Sequence, residues 1–127
     1  MKMNKWFKVI FGILIFAGIL SLVMSISPAF RAWLDDKVYD NYDPYLPCEQ
    51  WPTIAELDKA FTEHNEELSA IMRLSPNINI EREQRDCGGE RHAIWKIFYS
   101  NHAERMQIEE ALGGKEVFGQ PAIWRNW

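Results

Sequence analysis

Hydrophobic and polar positions divide the chain in two. Val9 to Phe30 is an unbroken uncharged, largely apolar run, preceded by Lys2, Lys5 and Lys8 and followed by no acidic residue until Asp35. At about 1.5 Å of rise per residue, a helix over this run covers a hydrocarbon core of about 30 Å. Secretory h-regions are shorter, about 7 to 15 residues, and end at a small-x-small cleavage site. Here Val23-Met24-Ser25 offers Val where a small residue is preferred, and Pro28 follows closely. The pattern therefore predicts an uncleaved signal-anchor in a single pass of the cell (inner) membrane. Residues 1–8 form its cytoplasmic basic N-terminus, 9–30 the membrane helix, 31–47 an acidic juxtamembrane linker and 48–127 a small extracytoplasmic, periplasmic domain. Trp6 and Trp33 suit the two headgroup layers. Ala17, Gly18, Ser21 and Ser25 form a stripe of small residues suited to close packing with another membrane helix.

Beyond the anchor the periodicity changes. Ile54, Leu57, Phe61, His64, Leu68 and Ile71 recur at alternating spacings of three and four, predicting one amphipathic helix from Thr53 to Arg73. A capping box, Thr53 with Glu56, opens it, and Pro76 closes it. His64 on the apolar stripe is expected to be a buried core histidine. Asn77 to Glu83 alternates as a short strand, and the charged stretch Arg82 to Arg91, with Gly88-Gly89, reads as a turn. His92 to Ser100 forms a second strand. In it Ala93, Trp95, Ile97 and Tyr99 share one face and Ile94, Lys96 and Phe98 the other, which suggests a central strand, or one face on the helix and the other against a partner. A helix from about Asn101 to Leu112 follows, capped by Asn101 with Glu104 and stopped at Gly113-Gly114.

These elements predict an α+β domain in the order helix, strand, strand, helix, strand, with a short antiparallel sheet and helices on one face. No protein family is recognisable; the layout resembles single-pass accessory proteins of bacterial inner membranes in architecture alone.

Charge narrows the function. Removing the three leading lysines from 14 basic residues leaves 11 against 18 acidic, a formal charge of −7 for the rest. That excludes nucleic acid as an expected partner, because phosphate binding rests on clustered Lys and Arg. Cys48 and Cys87 allow one disulfide pairing, which suits an oxidising compartment. Neither cysteine lies in a zinc-ligand spacing, and no metal or cofactor is expected. The aspartates of 35–47 do not match the ligand spacing of a calcium loop, and a solvated spacer is expected there. Glu109 and Glu110 point about 100° apart on a helix and form no catalytic dyad.

Two tryptophans and a phenylalanine in the last ten residues need cover. Packing of a final strand on the core supplies it in one reading. In the other, Phe118, Ile123, Trp124, Arg125 and Trp127 are partner-binding anchors. The expected function is a binding or accessory module, not an enzyme, that contacts another envelope protein. It would serve as a small subunit of a membrane complex or as an immunity protein against a basic toxin in that compartment. The alternative is an envelope-modifying enzyme using His92, His102, Glu90 and Asp86 around the turn, or a glycan-binding domain using the C-terminal tryptophans.

Overall fold

A computed structural model describes residues 3–127, so Lys2 of the basic N-terminus lies outside the described residues. Helix α1, Lys5–Ile26, has 22 residues. Its window Lys5–Val23 has a mean hydropathy of 2.3 and none of it is buried, making it long and apolar enough to span a membrane. The helix starts four residues before the apolar run, because lysine is a good helix former and extends it through Lys5 and Lys8. It ends four residues earlier, where Ser27 turns extended and caps α2, Pro28–Leu34, by accepting from the Phe30 N–H. Pro28 at the first turn of α2 loses only an N–H that would be unpaired there.

The domain that follows is mixed α+β. Helices α3, Ile54–Glu63, and α4, Asn65–Met72, precede β1, Asn79–Cys87, and β2, Glu90–Tyr99; α5, His102–Leu112, and β3, Ala122–Asn126, complete it. The element order matches expectation apart from one break. His64, at φ −116° and ψ 21°, interrupts the single helix expected from Thr53 to Arg73. The Thr53–Glu56 capping box is formed in both directions.

The sheet order is β1-β2-β3, with β2 central. Strands β1 and β2 are antiparallel in continuous register from Asn79 opposite Phe98 to Cys87 opposite Glu90. The charged stretch expected as a turn is therefore mostly strand, and only Gly88 and Gly89 turn. Both have positive φ, 64° and 93°, as a two-residue type I′ hairpin requires. Strand β3 pairs with β2 in parallel, from Ala122 opposite Trp95 to Asn126 opposite Tyr99. This corrects the all-antiparallel expectation. Helix α5 carries the chain back along β2, and such a crossover delivers the next strand parallel.

Core packing follows the two faces of β2. On one, Ala93, Trp95, Ile97 and Tyr99 join Trp124, Leu57, Leu68, Ile71 and Ile108, so the helices cover that face. On the other, Ile94 and Ile123 pack under Trp51 and Leu46. The Cys48–Cys87 disulfide forms, with Cα atoms 5.7 Å apart, and ties the start of the domain to the hairpin end.

Candidate functional site

The densest polar constellation lies where the segment after α2 meets α5. Asp35–Tyr39 continues from α2 as one wide π-helical turn, and Asp40 ends it in the left-handed region at φ 54°. An aspartate tolerates that conformation better than most residues. The turn aims Asp36 and Asp40 at Arg105 of α5. Arg105 is 2% exposed, bonds Asp36 through one terminal nitrogen and reaches Asp40 Oδ1 at 2.7 Å through the other. Its Nε faces Glu109 Oε1 at 3.5 Å, one helical turn on.

Other elements close around this pair. His102 Nδ1 lies 2.9 Å from Asp40 Oδ1, and the Tyr99 hydroxyl donates to the Asp40 carbonyl. Lys115 Nζ lies 3.4 Å from Asp36 Oδ2 and 4.7 Å from the centre of the Tyr42 ring. Tyr42 in turn exchanges two backbone hydrogen bonds with Trp124, at 2.7 and 2.9 Å, adding a bridge to the free side of β3. Arg125 Nη2 lies 3.3 Å from Asp43 Oδ2, and Asn126 N–H donates to Asn41 Oδ1 at 2.6 Å.

The expected solvated spacer is thus a docked strap. Asp36, Asp40 and Asp43 face cations of the same chain, and Asp35 accepts from the Tyr45 hydroxyl. Burial alone raises the pKa of Asp36, but the Arg105 hydrogen bond and the charges of Arg105 and Lys115 outweigh it, and the net shift is downward. Arg105 moves the other way: burial lowers its pKa, but the hydrogen bonds it donates to Asp36 and Asp40 dominate and raise it. The junction borders an open cavity of about 550 Å³, whose wall includes Val38, Met106, His102 and Lys115.

A second polar knot holds the start of α5. Asn101 Oδ1 accepts from the Glu104 N–H at 2.9 Å, as the capping signature predicted. The Glu104 carboxylate, buried, accepts from Ser75 Oγ at 2.6 Å and from the Ser100 N–H and hydroxyl at 2.8 and 2.9 Å. Those hydrogen bonds lower its pKa to about 2.

The residues singled out in the sequence separate under the fold. Trp124 is 0% exposed and Ile123 is buried, so both are core residues and corrections to the expected partner-binding set. Packing against β2 consumes their apolar surface. Phe118 is half-buried and stacks on His64 at 3.8 Å between ring centres. Arg125 is engaged with Asp43, and Trp127, 67% exposed, is the one aromatic of that set that presents most of its surface. His64 is not a buried core residue as expected: its ring is partly exposed, and Glu67 Oε1 lies 3.1 Å from Nδ1, an orienting carboxylate three residues on.

His92 lies near the start of β2 and His102 just past its end, and the seven steps from His92 to Tyr99 span about 23 Å of strand. They do not share a site. His92 is buried and donates from Nδ1 to the Trp51 carbonyl at 2.7 Å, with Glu90 at 3.7 Å from the other nitrogen. Among the described residues no group of three His, Cys, Asp or Glu side chains is arranged to hold a metal ion. In α1, Ser21 and Ser25 donate their hydroxyls to the carbonyls four residues earlier, at 2.9 Å, and Ala17 and Gly18 lie exposed beside them.

Sequence reasoning did not single out Arg105, Asp36 or Asp40 as a unit. The signal was present as an acidic pair at helical spacing, Asp36 and Asp40, in the segment just before the domain. Comparison with family models, curated proteins and solved structures returns no match to this chain.

Proposed function

We propose that this chain is a membrane-anchored binding or accessory module. Its N-terminus is cytoplasmic, and its disulfide-bonded domain faces the extracytoplasmic, periplasmic side and contacts another envelope protein. The partner is a subunit of a membrane complex or a basic toxin that this chain neutralises. The observation that carries this reading is the Asp36–Asp40–Arg105 junction. A domain meant only to be tethered needs a loose linker, whereas this one is fastened to the end of its anchor. Fastening fixes the height and orientation of the domain above the bilayer, which suits docking on a neighbour held in the same membrane. The charge bias around α1 and the disulfide support the topology.

The cavity beside the junction offers a concave, mixed surface at membrane-proximal height, with Val38 and Met106 as its apolar contacts. Two measurements test the proposal in intact cells. Thiol labelling of cysteines introduced at Met3 and at Leu74 reports sidedness: an impermeant reagent is expected to reach position 74 only. A photo-crosslinking residue at Met106 is expected to give a discrete adduct with one envelope protein, while the same residue at Arg73 gives none. Labelling of position 3, or absence of any adduct from Met106, overturns the reading.

A further inference from the structure

Strand β1 is an open edge. It is nine residues long, contains no proline, glycine or bulge, and is hydrogen-bonded to β2 on one side alone among the described residues. Edges of this length invite pairing with another chain unless something blocks them. The backbone phase is readable from β2. Ala93, opposite Gln84, sends its N–H away from β1, to the Pro52 carbonyl at 3.0 Å. The Gln84–Ala93 pair is therefore a non-hydrogen-bonded one, and the N–H and C=O of Gln84 point out of the sheet, as do those of Arg82 and Asp86 two residues either side. All three residues are exposed.

We propose that this edge binds a second copy of the chain. The two β1 strands pair antiparallel across a two-fold axis through Gln84 and join two three-stranded sheets into one of six strands. The charge pattern selects the axis. A two-fold axis perpendicular to the sheet must place one residue opposite itself. At Arg82, Glu83 or Arg85 that sets like charges face to face, which opposes pairing. Gln84 is the neutral residue among them. With the axis there, Glu83 meets the second copy's Arg85 and Arg82 meets its Asp86, each twice by symmetry.

The side chains already have partners within one copy. Arg82 bonds Asp58, and Glu83 lies 3.6 Å from Arg85 and 3.9 Å from Lys96. Docking extends this network across the axis. Growth stops at a dimer because the far edge, β3, has five residues and is bridged by Tyr42. The inference is independent of which envelope protein the module contacts.

The test is sedimentation of the full chain in detergent. Gln84→Pro removes the outward N–H, which has no partner within the chain, and Glu83→Arg places Arg against the second copy's Arg85. Each is expected to weaken the wild-type dimer by about tenfold or more. The double variant Glu83→Arg/Arg85→Glu restores the cross-axis pairs and is expected to restore the dimer. Thermal melts report folding; if Gln84→Pro unfolds the domain, the charge variants decide alone. A wild-type chain that stays monomeric throughout the micromolar range, a dimer indifferent to these variants, or a double variant that fails to rescue overturns the proposal.

Discussion

Arg105 is the residue on which the attachment of the domain turns. Its guanidinium is withdrawn from water and its two terminal nitrogens are paired with carboxylates from a different part of the chain, so losing it leaves Asp36, Asp40 and Glu109 without that cation. Removing one partner from a buried ionic group is far costlier than the net worth of the group. Arg105→Met is expected to lower unfolding stability by about 3 kcal/mol, measured by denaturant titration of the full chain. Acid acts on the same layer of structure. Glu104 and Asp36 both titrate below their unfolded values, so each contributes stability that is complete above that value and is lost as pH falls through the folded one. For Glu104 the window runs from 4.5 down to about 2. Glu104→Gln is expected to flatten the loss of melting temperature across that window while lowering stability at neutral pH. These residues were hidden in the sequence for a physical reason. The inward positions of α5 are Glu104, Arg105, Ile108 and, in part, Leu112, so its core stripe has helical spacing but begins with two charged residues. A search for apolar periodicity passes over such a stripe.

At the scale of elements, local chemistry and the one disulfide pairing were readable, and the direction of β3 and the break at His64 were not. The capping box at Thr53, the Asn101 cap, the glycine stop after Leu112 and the two faces of β2 all follow from neighbouring residues, and the structure has each of them. The parallel placement of β3 depends on where α5 returns the chain. That information sits in the strand-helix-strand order and in no single segment. The break at His64 likewise involves a distant contact, since its ring stacks on Phe118, more than fifty positions away. The disulfide joins two such elements across a separation of 39 residues. Closing a loop of that size restricts the unfolded chain, and Cys48→Ser/Cys87→Ser is expected to lower stability by about 4 kcal/mol, read from denaturant midpoints with and without reductant. The wild-type chain should lose the same amount on reduction, and the double variant should be indifferent to reductant.

For the molecule as a whole, the sequence divides into an apolar helix and a small α+β domain, and the structure has both. The segment between them is where expectation and structure part. Composition alone makes Asp35 to Pro47 read as solvated, because four aspartates in thirteen residues have Lys37 as the one cation in their own stretch. Their partners, Arg105, Lys115 and Arg125, arrive from far along the chain. The expected consequence is mechanical: α1 and the domain move together. That coupling is measured by spin labels on cysteines introduced at Leu22 in α1 and Leu74 beyond α4, both exposed, in the full chain in detergent micelles. The native cysteines are both in the disulfide and take no label. The expected result is one narrow distance distribution that broadens when Asp36→Asn and Asp40→Asn are combined. A broad distribution before any junction residue is changed would contradict a domain fastened to its anchor.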